Sequence, residues 1–378
     1  LAAIIGIING MKKRILVLIP ALLLVLLAIY GLVWPADGVE TSEEVQGVRL
    51  PDQELVLFVA ETDTELELFA LDPSTAESPI QITQTDGKIV DFSASPDGKR
   101  IIYTITNPAG GNQLWEFLRE AGVAKLVKDC GSDSCYEPTY SPDEAWLAYT
   151  KLINRKPQVW LLNLNDGTER ALFGDLDLVN VSEMPLWSPD GSKLAVWNAD
   201  DSLIEIAALE SGETWKFGNV SGDRGSWGPE SNAIYFQDTI PGETSYSNGV
   251  RRVDLITGER TPVACTCKDK SGNAYLHPVV NPVDGTLVVG MQPIPLVATR
   301  ELWLMDPEGN FIAAISDDLS VLTVRAVWSP DGSHLLFTRN EFPIEDLAAD
   351  LMLWDAQTGA QQLIENAIGT PDWLAAVE

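Results

Sequence analysis

The side chains best suited to chemistry are few: four cysteines and two histidines in 378 residues. Cys130-Gly131-Ser132-Asp133-Ser134-Cys135 frames a short loop, and Cys265-Thr266-Cys267 a tighter one. In an exported protein cysteines tend to be oxidised. A Cys130–Cys135 disulfide closes a tight surface loop easily, whereas a Cys265–Cys267 disulfide makes an unusual, strained ring. Two other arrangements stay open: the loops cross-link to each other, or four thiolates hold zinc or copper. His277 precedes Pro278 and is a candidate general base, but no nucleophile or orienting partner accompanies it in the sequence. His334 lies beside apolar neighbours and reads as structural. Gly-x-Ser-x-Gly, His-Glu-x-x-His and the phosphate-binding Gly-x-x-x-x-Gly-Lys-Ser/Thr do not occur. No catalytic residue, metal ligand or cofactor is assigned.

Carboxylates recur instead. Asp97, Asp143, Asp190 and Asp331 each occupy the third place of Ser-Pro-Asp-Gly or, at 141–144, Ser-Pro-Asp-Glu. Paired catalytic acids must converge to roughly 5–10 Å. These four stand in separate repeats, and turn chemistry explains them: Pro fixes φ, Asp bonds nearby amides and Gly accepts positive φ. The motif is therefore a hairpin turn between β-rich runs such as Lys193–Trp197 and His334–Thr338. Worn copies stand at 228–231 and 281–285.

A second turn family alternates with the first, and its glycines Gly122, Gly167, Gly212, Gly258, Gly309 and Gly359 recur every 45 to 51 residues. Four strands with short turns fill that interval. In one unit Met184–Trp187 is the inner strand, Lys193–Trp197 the second, Leu203–Ala207 the third and Thr214–Phe217 the outer. A fixed period with four strands per unit predicts an all-β chain, a β-propeller. The count is seven blades, with six or eight as alternatives. Thr370–Trp373 is expected to complete the blade begun by Glu54–Gln84 and so close the ring.

The pattern Trp-Ser-Pro-Asp-Gly-x-x-Leu-apolar, at 187–195 and 328–336, resembles the TolB-type, WD-like propeller repeat over about residues 50–376. The resemblance implies the fold and leaves function open, because such repeats serve binding scaffolds, propeller domains of peptidases and surface proteins alike. TolB itself has six blades and an added N-terminal domain, whereas this chain carries seven third-strand turns, so a TolB role is not implied. Trp187, Trp227, Trp328 and Trp373 share one repeat position. That points to packing between blades rather than to a sugar-binding ring.

Before the propeller, Ile15–Trp34 is twenty residues without a charge, preceded by Lys12-Lys13-Arg14. A helix of that length spans about 30 Å, and the basic cluster holds its start in the cytoplasm. The expected organisation is a cytoplasmic segment 1–14, a transmembrane helix 15–34 serving as signal anchor, an acidic linker 35–51 and a propeller 52–378. A cleaved signal peptide is the competing reading. The net charge of −30 excludes nucleic acid as a partner. The expected function is an extracytoplasmic, membrane-anchored binding scaffold for a protein, a peptide or a cell-envelope glycan. An enzyme with its site in the central channel (lyase, cyclotransferase or hydrolase-like) and a structural subunit of an envelope complex are the alternatives. The blades with worn turns mark the expected binding surface, with His277, Tyr246 and Asn248 as its candidates.

Overall fold

The structure is a computed structural model. It describes residues 44–377 apart from 64, 76, 108–109, 175–180, 219–221, 223, 242–245, 270–271, 294–298, 317–320 and 342–347. The expected membrane helix 15–34 lies outside the described residues. Among those described, no helix is long and apolar enough to cross a membrane.

Strands dominate because the chain repeats short β-branched and aromatic runs between tight turns. The first sheet runs from Ile89–Ala94 outward through Arg100–Thr106 and Asn112–Leu118 to Val123–Asp129. Four-stranded sheets with the same order follow, with inner strands Ser134–Tyr140, Glu183–Trp187, Ser226–Trp227 and Ala274–Val280. The sixth sheet has seven strands, starting from Val321–Trp328, and its fourth strand, Gln361–Leu374, serves two units. Residues 361–367 pair with Ala349–Asp355, and residues 368–374 pair with Leu55–Glu61. The C-terminal strand thus completes the sheet that the N-terminal strands begin.

The expected linker 35–51 differs from the structure in its second half. Glu44–Gln46 pairs antiparallel with Val123–Lys125 as a fifth strand on the first sheet, and Leu50 is fully buried. An outer strand leaves unpaired amides and carbonyls, and this segment satisfies them.

The core lies between neighbouring sheets. Val288, Leu302 and Ile315 of the fifth pack against Trp328, Leu335 and Phe337 of the sixth. Each fully buried aliphatic side chain contributes roughly 1.5–3 kcal/mol. The recurring tryptophans join successive inner strands. Nε1 of Trp187 donates to Thr139 O (3.2 Å), of Trp227 to Leu186 O (3.1 Å), of Trp328 to Val279 O and of Trp373 to Val327 O (both 3.4 Å). Each acceptor lies one residue before the equivalent position in the preceding inner strand. Where the second sheet has Tyr140 instead, its hydroxyl donates to Glu116 Oε1 at 2.9 Å.

The Ser-Pro-Asp-Gly turns repeat one hydrogen-bond scheme. Ser188 Oγ donates to Asp190 Oδ1 (2.6 Å) and accepts from Lys193 N (3.0 Å), while Asp190 Oδ1 accepts from Ser192 N (3.0 Å). The turns at Ser95, Ser141 and Ser329 match it. Burial raises the Asp190 and Asp331 carboxyls, but these bonds outweigh it and hold both below the usual range. The repeated aspartates are scaffold.

Candidate binding surface on the inner strands

The inner strands of the second, third and fifth sheets carry a bulge three residues before the tryptophan position. Pairing registers shift between Ala148 and Thr150, between Glu183 and Leu186, and between Leu276 and Val279. The bulged residues Glu137, Met184 and His277 have φ of 55°, 57° and 47°, and each precedes a proline. A non-glycine residue with positive φ inside a strand is uncommon. The equivalent positions elsewhere hold Asp91, Arg224, Arg325 and Thr370. One ring position is therefore acidic on the first two sheets, arginine at 224 and 325, and histidine at 277.

On the acidic arc the carboxylates link neighbouring sheets. Asp91 Oδ2 accepts from Glu137 N at 2.7 Å, and Glu137 Oε2 accepts from Met184 N at 2.8 Å and from the Thr150 hydroxyl at 2.9 Å. Asp372 Oδ2 accepts from Ala94 N at 3.0 Å. Asp91 is half-buried. Burial pushes its carboxyl up to about 6 against the pull of the Thr104 hydroxyl and the Glu137 amide, and the Glu137 charge adds to the rise. Asp91 Oδ1 is buried outside hydrogen-bond geometry with any partner, Thr104 Oγ1 included. Burial, then the Glu137 charge, raises Glu183, and burial raises the Tyr136 hydroxyl that faces it at 3.5 Å. Burial also raises Asp372, and the Arg224 guanidinium opposes that rise. Arg224 Nη1 reaches Pro185 O at 3.4 Å.

His277 is exposed between buried Leu276 and Pro278, on the fifth inner strand. Tyr246 and Asn248 lie elsewhere, on the third strand of the fourth sheet, paired with Pro241 and Thr239. Asn248 is exposed. His334 sits on the opposite side, its Nδ1 2.7 Å from Ser333 Oγ and its ring beside Trp373. Cys130 is bonded to Cys135 with Cα atoms 6.0 Å apart, and Cys265 to Cys267 at 5.1 Å. The first pair is not at the surface: both residues are buried against Ile102, Leu114 and Tyr149. Among the described residues no group of three or more His, Cys, Asp or Glu could hold a metal ion. Asp91, Tyr136, Glu137, Glu183 and Arg224 escaped the sequence reading. The available signal was the residue-Pro pair at 137, 184 and 277, always three places before the end of an inner strand.

No family model matches the chain. A 111-residue stretch is 31% identical to a putative Tricorn-like protease N-terminal subunit from Sulfurisphaera tokodaii, covering 28% of this chain and 56% of that relative. The match thus spans little more than half of the curated relative. Among solved structures, TolB from Acinetobacter baumannii superposes with TM-score 0.50 at 15% identity, over 85% of this chain and 83% of that one. A prolyl endopeptidase gives 0.60 at 12% identity, over 87% of this chain and 50% of that chain. A puromycin-hydrolyzing peptidase from Mycobacterium tuberculosis gives 0.58 at 14%, over 83% and 54%. These likenesses show the fold, a β-propeller.

Proposed function

We propose that this chain is a seven-bladed propeller acting as a binding scaffold, and that a protein or peptide partner docks where the inner strands meet. The observation that carries the reading is the split ring of bulged residues. Asp91 and Glu137, with Glu183 next to the bulged Met184, form an acidic arc, and Arg224 and His277 stand on the other blades. A surface bearing both signs of charge suits a polypeptide, which carries both, better than a uniformly charged polymer. The blade count rests on seven inner strands, with Gln361–Leu374 shared between the last two blades. Anchoring by 15–34, with the propeller outside the cytoplasmic membrane, follows from the sequence and belongs to the same proposal. A glycan ligand is the weaker form of it, because the four repeated tryptophans are used between blades.

A photo-crosslinking amino acid at 277 in the full chain, activated in native membranes, tests the reading. A discrete protein adduct is expected, lost when Arg224→Glu is combined with it and absent with the crosslinker at Gln357. Equal labelling from both positions would defeat it. An enzymatic channel is the rival, favoured by one observation: burial raises both Asp91, to about 6, and Glu183, and the Glu137 charge adds to each rise. That rival requires Asp91→Asn to abolish a turnover that the His277 and Arg224 variants retain.

A further inference from the structure

We propose a second binding site, on the side of the Ser-Pro-Asp-Gly turns, for a peptide segment in which a basic side chain adjoins an aliphatic or aromatic one. The site is a groove of about 640 Å³ between the third and fourth sheets. Lys193, Glu210, Glu213, Trp215, Glu230 and Ile256 line it. It is independent of the inner-strand surface.

The repeat supplies its own control. Ile256 N donates to Asp254 Oδ1 at 3.0 Å, Thr257 N to the same oxygen at 2.9 Å, and Gly258 N to Asp254 O at 2.8 Å. Gln357 is held identically by Asp355, and Asn165 by Asn163. Glu210 and Glu120 occupy the same place in turns closed by Gly212 and Gly122. Four of these five equivalent turns carry a polar residue there, so the turn does not require an apolar one. Ile256 is nevertheless 78% exposed, the most exposed large hydrophobic among the described residues. Its side chain serves no packing in the fold, and it stands over the groove.

Charge and shape then narrow the ligand. Glu210, Glu213 and Glu230 are exposed around the rim. Among the described residues that line it, the single cation, Lys193, is already engaged: its Nζ lies 2.9 Å from Ser192 Oγ and 3.9 Å from the Asp190 carboxylate. The rim therefore attracts positive charge, while Trp215, Leu255 and Ile256 offer apolar area. A bare metal ion would leave that area and most of the volume unused. A segment alternating basic and apolar side chains would use both.

The test titrates the full chain, in lipid nanodiscs, into dye-labelled hexapeptides of alternating leucine and arginine or leucine and glutamate, read by fluorescence anisotropy. The basic peptide should bind, with an affinity that falls as salt rises, and the acidic one should not. Ile256→Asn, which installs the residue found at 165, should weaken binding at least about fivefold without lowering Tm. Glu213→Gln with Glu230→Gln should weaken it and flatten the salt dependence. His277→Ala should change nothing, which separates this groove from the inner-strand surface. Ile256→Asn binding as tightly as the parent, or a parent that binds neither peptide, overturns the proposal.

Discussion

Arg119 Nη1 donates to the carbonyl of Ala375 at 2.6 Å, tying a turn of the first sheet to the C-terminal end of the chain. The same guanidinium donates to Gly98 O at 2.9 Å, through Nε to Pro51 O at 2.8 Å, and through Nη2 to Pro51 O and Gln53 O. Arg119 is 1% exposed. It holds the entering chain, the first Ser-Pro-Asp-Gly turn and the departing chain at one point. Close fit backs this up: a Cβ on Gly98 would meet Ala375 O at 2.1 Å.

Removing that guanidinium should be among the most damaging single changes. Arg119→Met leaves several buried carbonyls without donors, each worth about 1–3 kcal/mol. A loss of at least about 3 kcal/mol is expected in urea unfolding, with Arg119→Lys recovering only part of it. A loss under about 1 kcal/mol would mean the ring is closed by strand pairing alone.

The tryptophans should separate packing from hydrogen bonding. Trp373→Phe keeps most of the apolar area and forfeits the bond to Val327 O, costing about 1 kcal/mol plus a small cavity. Trp373→Ala should cost about 3–5 kcal/mol. Trp187 stands in a distant blade, so the double Trp187→Phe, Trp373→Phe variant should show additive losses.

Asp91 makes stability depend on pH in a direction opposite to the turn aspartates. Its folded pKa, about 6, lies above the ordinary 3.8. The folded state therefore binds the proton more tightly, and Asp91 favours folding most below pH 4. That contribution is lost as pH rises from about 4 to about 6, and stays lost above. Asp91→Asn should thus be the more stable protein at pH 7, by on the order of 1–3 kcal/mol, with the difference vanishing near pH 4. Denaturation midpoints of both proteins across pH 4–8 measure this. A constant offset would show that burial of the charge is not the cause.

Glu144 offers a contest between strain and bonding. It stands where the motif has glycine and keeps positive φ, 58°. Glycine would relieve about 1–2 kcal/mol of strain. But Glu144 Oε1 accepts from Asp97 N at 2.8 Å in the preceding blade, and Oε2 accepts from Arg100 Nη2. Charged hydrogen bonds contribute about 1.5–3 kcal/mol each. Glu144→Gly should therefore destabilise by about 1–3 kcal/mol although it restores the consensus turn. A stabilised variant would show that the two bonds contribute less than the strain they impose.

How far the structure was legible follows from what repeats. The blade 183–218 falls within a residue of its expected strands, because spacing, turn residues and β-rich runs all recur and support one another. Closure by Thr370–Trp373 was legible for the same reason. The split ring of charges was not, because a bulge depends on pairing register, and nothing in Glu137-Pro138 announces a positive φ. Arg119 was hidden differently: an arginine in a turn reads as solvated, and its burial depends on both chain ends arriving there. The worn turns were legible as departures, but one of them has a structural use. Ser231, with φ 56°, accepts from Asp190 N at 3.0 Å, the same link to the preceding blade that Glu144 makes.

Sharing Gln361–Leu374 between two blades has a mechanical consequence. Force applied through the N-terminus would first strip the three-residue strand Glu44–Gln46 and then reach Leu55–Glu61. That strand has neighbours on both sides, Leu66–Leu71 and residues 368–374. It cannot unzip one rung at a time from a free edge, so its rungs are loaded together in shear. The first strand to take sustained tension is thus an interior one, and giving way there would leave residues 368–374 without their strand partner.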